Sequence, residues 1–205
     1  MKNVMIGEGK NDSDFSNELL SILNYKPQIF DQKSVLKGQK KHQETVVLRS
    51  FIENSSPYDF LFKSEGGKDM AAELFARYLD FLLDVKNISK AILMLDIDDV
   101  GLNGKLKQIE GIIIKKMSGE KLIITFKNVG KNIRDGVECI YFYEAYLITN
   151  ENGKQLGKFY LVLFNHDLEE VANGWFPSKE ISEKDKIIKL AKDKEIIKIF
   201  SIFLK

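Results

Sequence analysis

Ala91-Ile92-Leu93-Met94-Leu95-Asp96-Ile97-Asp98-Asp99-Val100-Gly101 opens with five unbroken apolar residues and closes in three aspartates and a glycine. An apolar run with no polar alternation is the pattern of a strand buried on both faces, as in a parallel sheet. The flanking chain repeats a strand-then-helix form. Residues 2–6 predict a short strand that breaks at Gly7-Glu8-Gly9. Asn11 or Asp12 then caps a helix with Phe15, Leu19, Leu20 and Leu23 at helical spacing. Tyr58–Phe62 predicts another strand, punctuated by Gly66-Gly67. A helix follows over 69–84, with Met70, Leu74, Tyr78, Phe81 and Leu82 on its apolar face. A further helix is predicted over 102–117. This alternation predicts a layered α/β fold.

Beyond Gly119 the texture changes. Strands are predicted at 121–126, 137–149 and 158–164, with Asn150 to Gly153 as a hairpin turn. One C-terminal helix is expected from Ser182 to Leu204, where Ser182 and Asp185 have capping-box spacing. Residues 25–56 are less regular; Thr45-Val46-Val47-Leu48-Arg49-Ser50-Phe51-Ile52 reads as an edge strand or a short helix. The expectation is a single domain over 1–205: a core at about 1–117, a strand-rich extension at about 119–175 and the helix at about 180–205.

Composition narrows the function classes. The chain has 205 residues, 44% of them hydrophobic and 30% charged, which suits a folded protein. The lone Cys139 excludes an intrachain disulfide and a cysteine zinc site. A start that turns polar after one short apolar run gives no secretory or membrane signal, so the expected location is the cytoplasm. With 31 basic and 30 acidic residues, the net charge of +1 argues against a generally basic nucleic-acid binder. A phosphate-rich substrate would have to be held locally, and a divalent metal is one means.

Three polar clusters sit at predicted strand ends, the edge where open parallel sheets bind ligands. In Gly7-Glu8-Gly9-Lys10-Asn11-Asp12, flanking glycines let the backbone approach a phosphate or metal, and a helix N-terminus follows. In Asp96-Ile97-Asp98, strand alternation would point both carboxylates the same way. Their charges would repel unless a cation lay between them, and oxygen-only ligands favour Mg²⁺ or Mn²⁺. In Glu65-Gly66-Gly67-Lys68-Asp69, the double glycine reads as a phosphate-facing nest, in which Lys68 would neutralise substrate charge. The competing readings are an ordinary strand-to-helix turn, an acidic N-cap and a tight turn with a solvated lysine.

Together these residues resemble the Toprim domain, shared by topoisomerases, bacterial-type primases, recombination mediators and OLD-family nucleases. Glu8-Gly9-Lys10-Asn11-Asp12 matches that family's Glu-Gly-x-x-Asp element. Asp96-Ile97-Asp98 matches its Asp-x-Asp, and Gly66-Gly67-Lys68 resembles small OLD-related members. The likeness covers roughly 1–117. It implies a Toprim/Rossmann-like, mostly parallel sheet flanked by helices. It also implies Mg²⁺ or Mn²⁺ anchored by Asp96 and Asp98, with Glu8 as ligand or general acid/base. Asp12 would orient Lys10 or bind a second metal, and Gly9, Gly66 and Gly67 would face phosphate. OLD-like relatives carry a Leu-Glu pair after a later strand, which makes Glu169 in Asn165-His166-Asp167-Leu168-Glu169 a further ligand; its structural reading is an acidic first turn of a helix.

The implied activity is that of a Toprim nuclease or nuclease subunit, acting on DNA in preference to RNA, with a protein partner or second copy and no membrane. Two alternatives stand beside it. One is a Toprim-like binding or assembly module without catalysis. The other is a phosphatase of the haloacid dehalogenase type, whose Asp-x-Asp-x-Thr/Val signature resembles 96–100 but whose nucleophile strand normally lies near the chain start. His42 and His166 read as surface residues, and Trp175 as a seal of a loop against the core.

Overall fold

The computed structural model describes residues 2–30, 40–53, 57–64, 67–117 and 121–205; the side chains of 40–45 and 68–69 lie outside that description. Seven strands form one mixed sheet in the order β2-β3-β1-β4-β7-β6-β5. They are β1 (Lys2–Gly7), β2 (Pro27–Phe30), β3 (Phe60–Ser64), β4 (Ile88–Asp96), β5 (Leu122–Arg134), β6 (Val137–Thr149) and β7 (Gln155–Phe164). Pairings from β2 through β3, β1 and β4 to β7 are parallel, whereas β6 and β5 add antiparallel.

Alternation along the strands divides the core into two layers. Val4, Ile6, Leu93 and Leu95 face one side, covered by α2 (Lys40–Ile52), α3 (Lys68–Asp84) and α4 (Gly101–Lys116). Met5, Ile92 and Met94 face the other, covered by α1 (Lys10–Ile22), α5 (Leu168–Trp175), α6 (Glu183–Ala191) and α7 (Lys194–Leu204). Aromatic rings fill the second layer. Phe15 lies 5.7 Å from Phe164 and 5.8 Å from Phe200, edge to face, and Phe142 lies 5.0 Å from Phe200. Burying each such ring contributes about 1.5–3 kcal/mol.

Several sequence expectations change. Of the two readings of 45–52 the helix holds and the edge strand does not: Leu48, Phe51 and Ile52 fall at helical spacing and are buried on the first face. The strand expected at 121–126 runs on to Arg134, and Asp135-Gly136, both at positive φ (52° and 81°), turns it into β6. Two residues at positive φ suit the twist of a tight hairpin. The strand-rich stretch joins the same sheet, where β7 pairs in parallel with β4 through Asp96↔Phe164. The expected C-terminal helix is two helices. Asp193 breaks it by accepting from the N–H groups of Glu195 and Ile196, which caps α7. Among the described residues, no helix is long and apolar enough to cross a membrane.

Candidate functional site

Strands β1 and β4 are adjacent and parallel, so the segments leaving their C-terminal ends emerge side by side. From β1 the chain enters α1 on the second face; from β4 it enters α4 on the first. Divergence of the helices that follow these neighbouring strands opens a crevice at the strand ends, where ligands bind in such sheets.

Glu8 stands directly after β1, and its Oε1 accepts from the Asp96 N–H at 3.0 Å. Asp96 ends β4, and its Oδ1 accepts from the Leu168 N–H at 3.1 Å, at the start of α5. Asp12, in the first turn of α1, reaches back so that Oδ2 accepts from the N–H groups of Glu8 (2.9 Å) and Gly9 (2.8 Å). Glu8, Asp12 and Asp96 are 7%, 6% and 8% exposed, so three carboxylates are buried at one sheet edge. From α5, Glu169 accepts from the Asn11 side-chain amide.

Burial pushes the Asp12 carboxyl up to about 7; the nearby charges of Glu8 and Glu169 add to this, against the lowering effect of its backbone hydrogen bonds. The charges of Glu8 and Glu169 are thus both felt at Asp12.

Asp98 is placed differently from expectation. Strand β4 stops at Asp96, so alternation no longer governs Asp98, which starts a single 3-10 turn at φ 57°. Its Oδ2 meets Lys105 Nζ of α4 at 3.4 Å. Its N–H donates to the carbonyl of His166, itself at φ 61°. Each left-handed non-glycine residue costs roughly 1–2 kcal/mol, and here the pair ties the loop after β4 to the loop after β7.

Lys10 is turned to Asp14 at 3.2 Å and is exposed, so the expected Asp12–Lys10 pairing is not formed; Asp12 spends its oxygen on backbone N–H groups instead. Gly9 has open space where a Cβ would project, but its N–H is taken by Asp12. Gly67 comes to the site by donating its N–H to the Glu8 carbonyl at 3.2 Å. Gly66 and the Lys68 side chain lie outside the described residues. His166 is exposed.

Sequence reasoning missed Asn11 and Lys105. The helical period from Gly101 places Lys105 one turn into the helix after Asp-x-Asp, which could have flagged it. Asn11 meets a residue 158 positions away, and no local pattern announces that.

Among the described residues, no three His, Cys, Asp or Glu side chains are grouped so as to hold a metal ion. The carboxylates here are engaged by the protein's own donors. By chemistry the set fits a hard divalent cation, since all donors are carboxylate oxygens and the charges of Glu8 and Glu169 raise the proton affinity of Asp12 beside them. To ligate one, Asp98 would exchange Lys105, and Glu169 would exchange Asn11, for the ion. No protein-family model matches the chain, and no curated protein matches it significantly in sequence.

Proposed function

We propose that the chain is a Toprim-type, Mg²⁺- or Mn²⁺-dependent enzyme of phosphodiester chemistry, a nuclease or nuclease subunit acting on DNA before RNA. The observation that carries this reading is the junction of Glu8 Oε1 with the Asp96 N–H, which brings the two sequence motifs together at the crevice between β1 and β4. Glu8, Asp96, Asp98 and Glu169 are the residues that would hold the ion. When bound, it would neutralise charge developing at a phosphoryl group and lower the pKa of water.

The chain's own residues supply the rest. The Leu168 N–H holds Asp96 in place, and the backbone of 8–9 holds Asp12. A carboxyl with a pKa of about 7 exchanges protons at neutral pH, the property asked of a general acid or base. Asp12 is thus the proton-transfer candidate, with Glu8 beside it. Lys10, held by Asp14, is left to the rim of the site.

One observation favours a non-catalytic binding module. The Asp98–Lys105 pair supplies a cation from within the protein, which would let the carboxylates persist without metal. Nicking of supercoiled plasmid by the wild type and by a Glu8→Gln/Asp96→Asn variant, with Mg²⁺ and then Mn²⁺, separates the two. Both substitutions keep the hydrogen-bond acceptors and remove the charges. Metal-dependent nicking lost in the variant supports the enzyme. A wild type that binds metal and DNA yet leaves the plasmid intact favours the module.

A further inference from the structure

A row of paired residues runs across the sheet from the candidate site: Asp96 to Phe164, Phe164 to Ile140, Ile140 to Asn132. It crosses from β4 to the edge strand β5, about 14 Å at three strand spacings. Two residues beyond Asn132, at the tip of the β5–β6 hairpin, stands Arg134. The hairpin tip therefore overhangs the same edge of the sheet as the carboxylates.

Helix α5 links the two places. Its first residue, Leu168, donates to Asp96, and its last, Trp175, lies under the Arg134 guanidinium at 4.6 Å from the ring centre. Eight residues of helix span about 12 Å. Trp175 is only 3% exposed, so the ring is a fixed platform, while the Arg134 side chain is 38% exposed. Among the described residues Arg134 pairs with Asp135 at 3.8 Å, whose side chain is 93% exposed and so in competition with water.

Two further observations mark the corner. Trp175 Nε1 and Asn132 Oδ1 are buried without a hydrogen-bond partner among the described residues, where buried polar atoms nearly always have one. And 134 is one of three arginine positions, with 49 and 77, in a chain whose other basic residues are lysines.

We propose that Arg134, laid flat on Trp175, clamps a backbone phosphate of the nucleic acid a few nucleotides from the scissile bond. This rests on the phosphodiester reading above. A planar guanidinium pairs with phosphate through two parallel hydrogen bonds, and stacking on the indole fixes its plane. The span of about 12–14 Å covers roughly three to four nucleotides at 3.4 Å per residue of one strand. Arg134 is a positioning residue and touches no reacting atom.

The test is fluorescence anisotropy of a labelled DNA oligonucleotide, as single strand and as duplex, across a salt series. It uses the wild type, Arg134→Ala, Arg134→Lys and Trp175→Phe, with Mg²⁺ affinity and thermal unfolding measured alongside. For Arg134→Ala we expect binding weaker by about tenfold and a slope of log Kd against log salt smaller by about one. Metal affinity and unfolding temperature stay at wild-type values. Arg134→Lys recovers the slope but only part of the affinity, because lysine lacks the planar fork; in a nicking assay KM rises while kcat holds. If the wild type binds metal and DNA but Arg134→Ala matches it in affinity and slope, the clamp is wrong and the phosphodiester reading stands. If the wild type binds neither, that reading falls and the clamp with it.

Discussion

Asp12 is where pH acts on this molecule most directly. Its carboxyl is raised from 3.8 to about 7, burial first and the charges of Glu8 and Glu169 after the opposing backbone bonds. The folded chain therefore holds a proton there that the unfolded chain releases above about pH 4. Stability from this group is complete below the ordinary carboxylate range and is lost as pH rises through the interval from about 4 to about 7. In chelator-treated protein, calorimetric melting should show the wild type losing stability across that interval, by a few kcal/mol at most. Asp12→Asn should lose less and should melt above the wild type at pH 8. Parallel curves for the two proteins would refute the assignment. A second test concerns Gly7: a Cβ there would lie 2.7 Å from Phe62 Cζ and 3.3 Å from Asp12 Cβ. Phe62 is fully buried and has nowhere to move, so Gly7→Ala should destabilise by about 1–3 kcal/mol in urea titrations. At this scale the sequence showed carboxylates at strand ends because short motifs and strand endings are local. It could not show that Glu8 bonds to the Asp96 backbone, or that Asn11 holds Glu169, because those contacts exist only once β1, β4 and α5 are assembled.

Helix α5 matters most among the elements, since one end fixes Asp96 and the other supports Arg134. In the sequence its start is legible, because Asp167-Leu168-Glu169-Glu170 reads as the acidic first turn of a helix, but Asn173-Gly174 looks like a loop and hides its end. The helix is capped by Asp167, whose side chain accepts from the Glu170 N–H, and it persists because Leu168, Val171, Ala172 and Trp175 are buried. The C-terminal helices show the same limit. The apolar pattern from Ile187 to Phe203 continues across Lys192-Asp193 and reads as one helix, but Asp193 caps a second one. Asp193→Ala should cost about 1 kcal/mol, measured by urea unfolding. An unchanged midpoint would show that the cap contributes nothing. Phe200, fully buried against Phe15 and Phe142, should cost about 3–5 kcal/mol on truncation to alanine.

For the whole molecule, the parallel half was legible because unbroken apolar runs and glycine punctuation mark buried strands. The placing of β7 beside β4 was not, since nothing in 155–164 tells which strand it will join. That placement brings Asp96, Glu169 and the β5–β6 hairpin to one edge, where the proposed ion and Arg134 would hold a polyanion on a near-neutral chain. In the function proposed above, the buried carboxylates at this edge would hold a divalent ion. Calorimetric titration of Mg²⁺ and Mn²⁺ into the wild type and into Glu8→Gln/Asp96→Asn, with and without DNA, tests it most directly. We expect saturable binding in the wild type, tighter at pH 8 than at pH 6 because the ionised Asp12 carboxylate adds negative charge beside the ion, and no binding in the variant at a melting temperature no lower than the wild type's. A wild type that takes up neither ion, with DNA present, would contradict it.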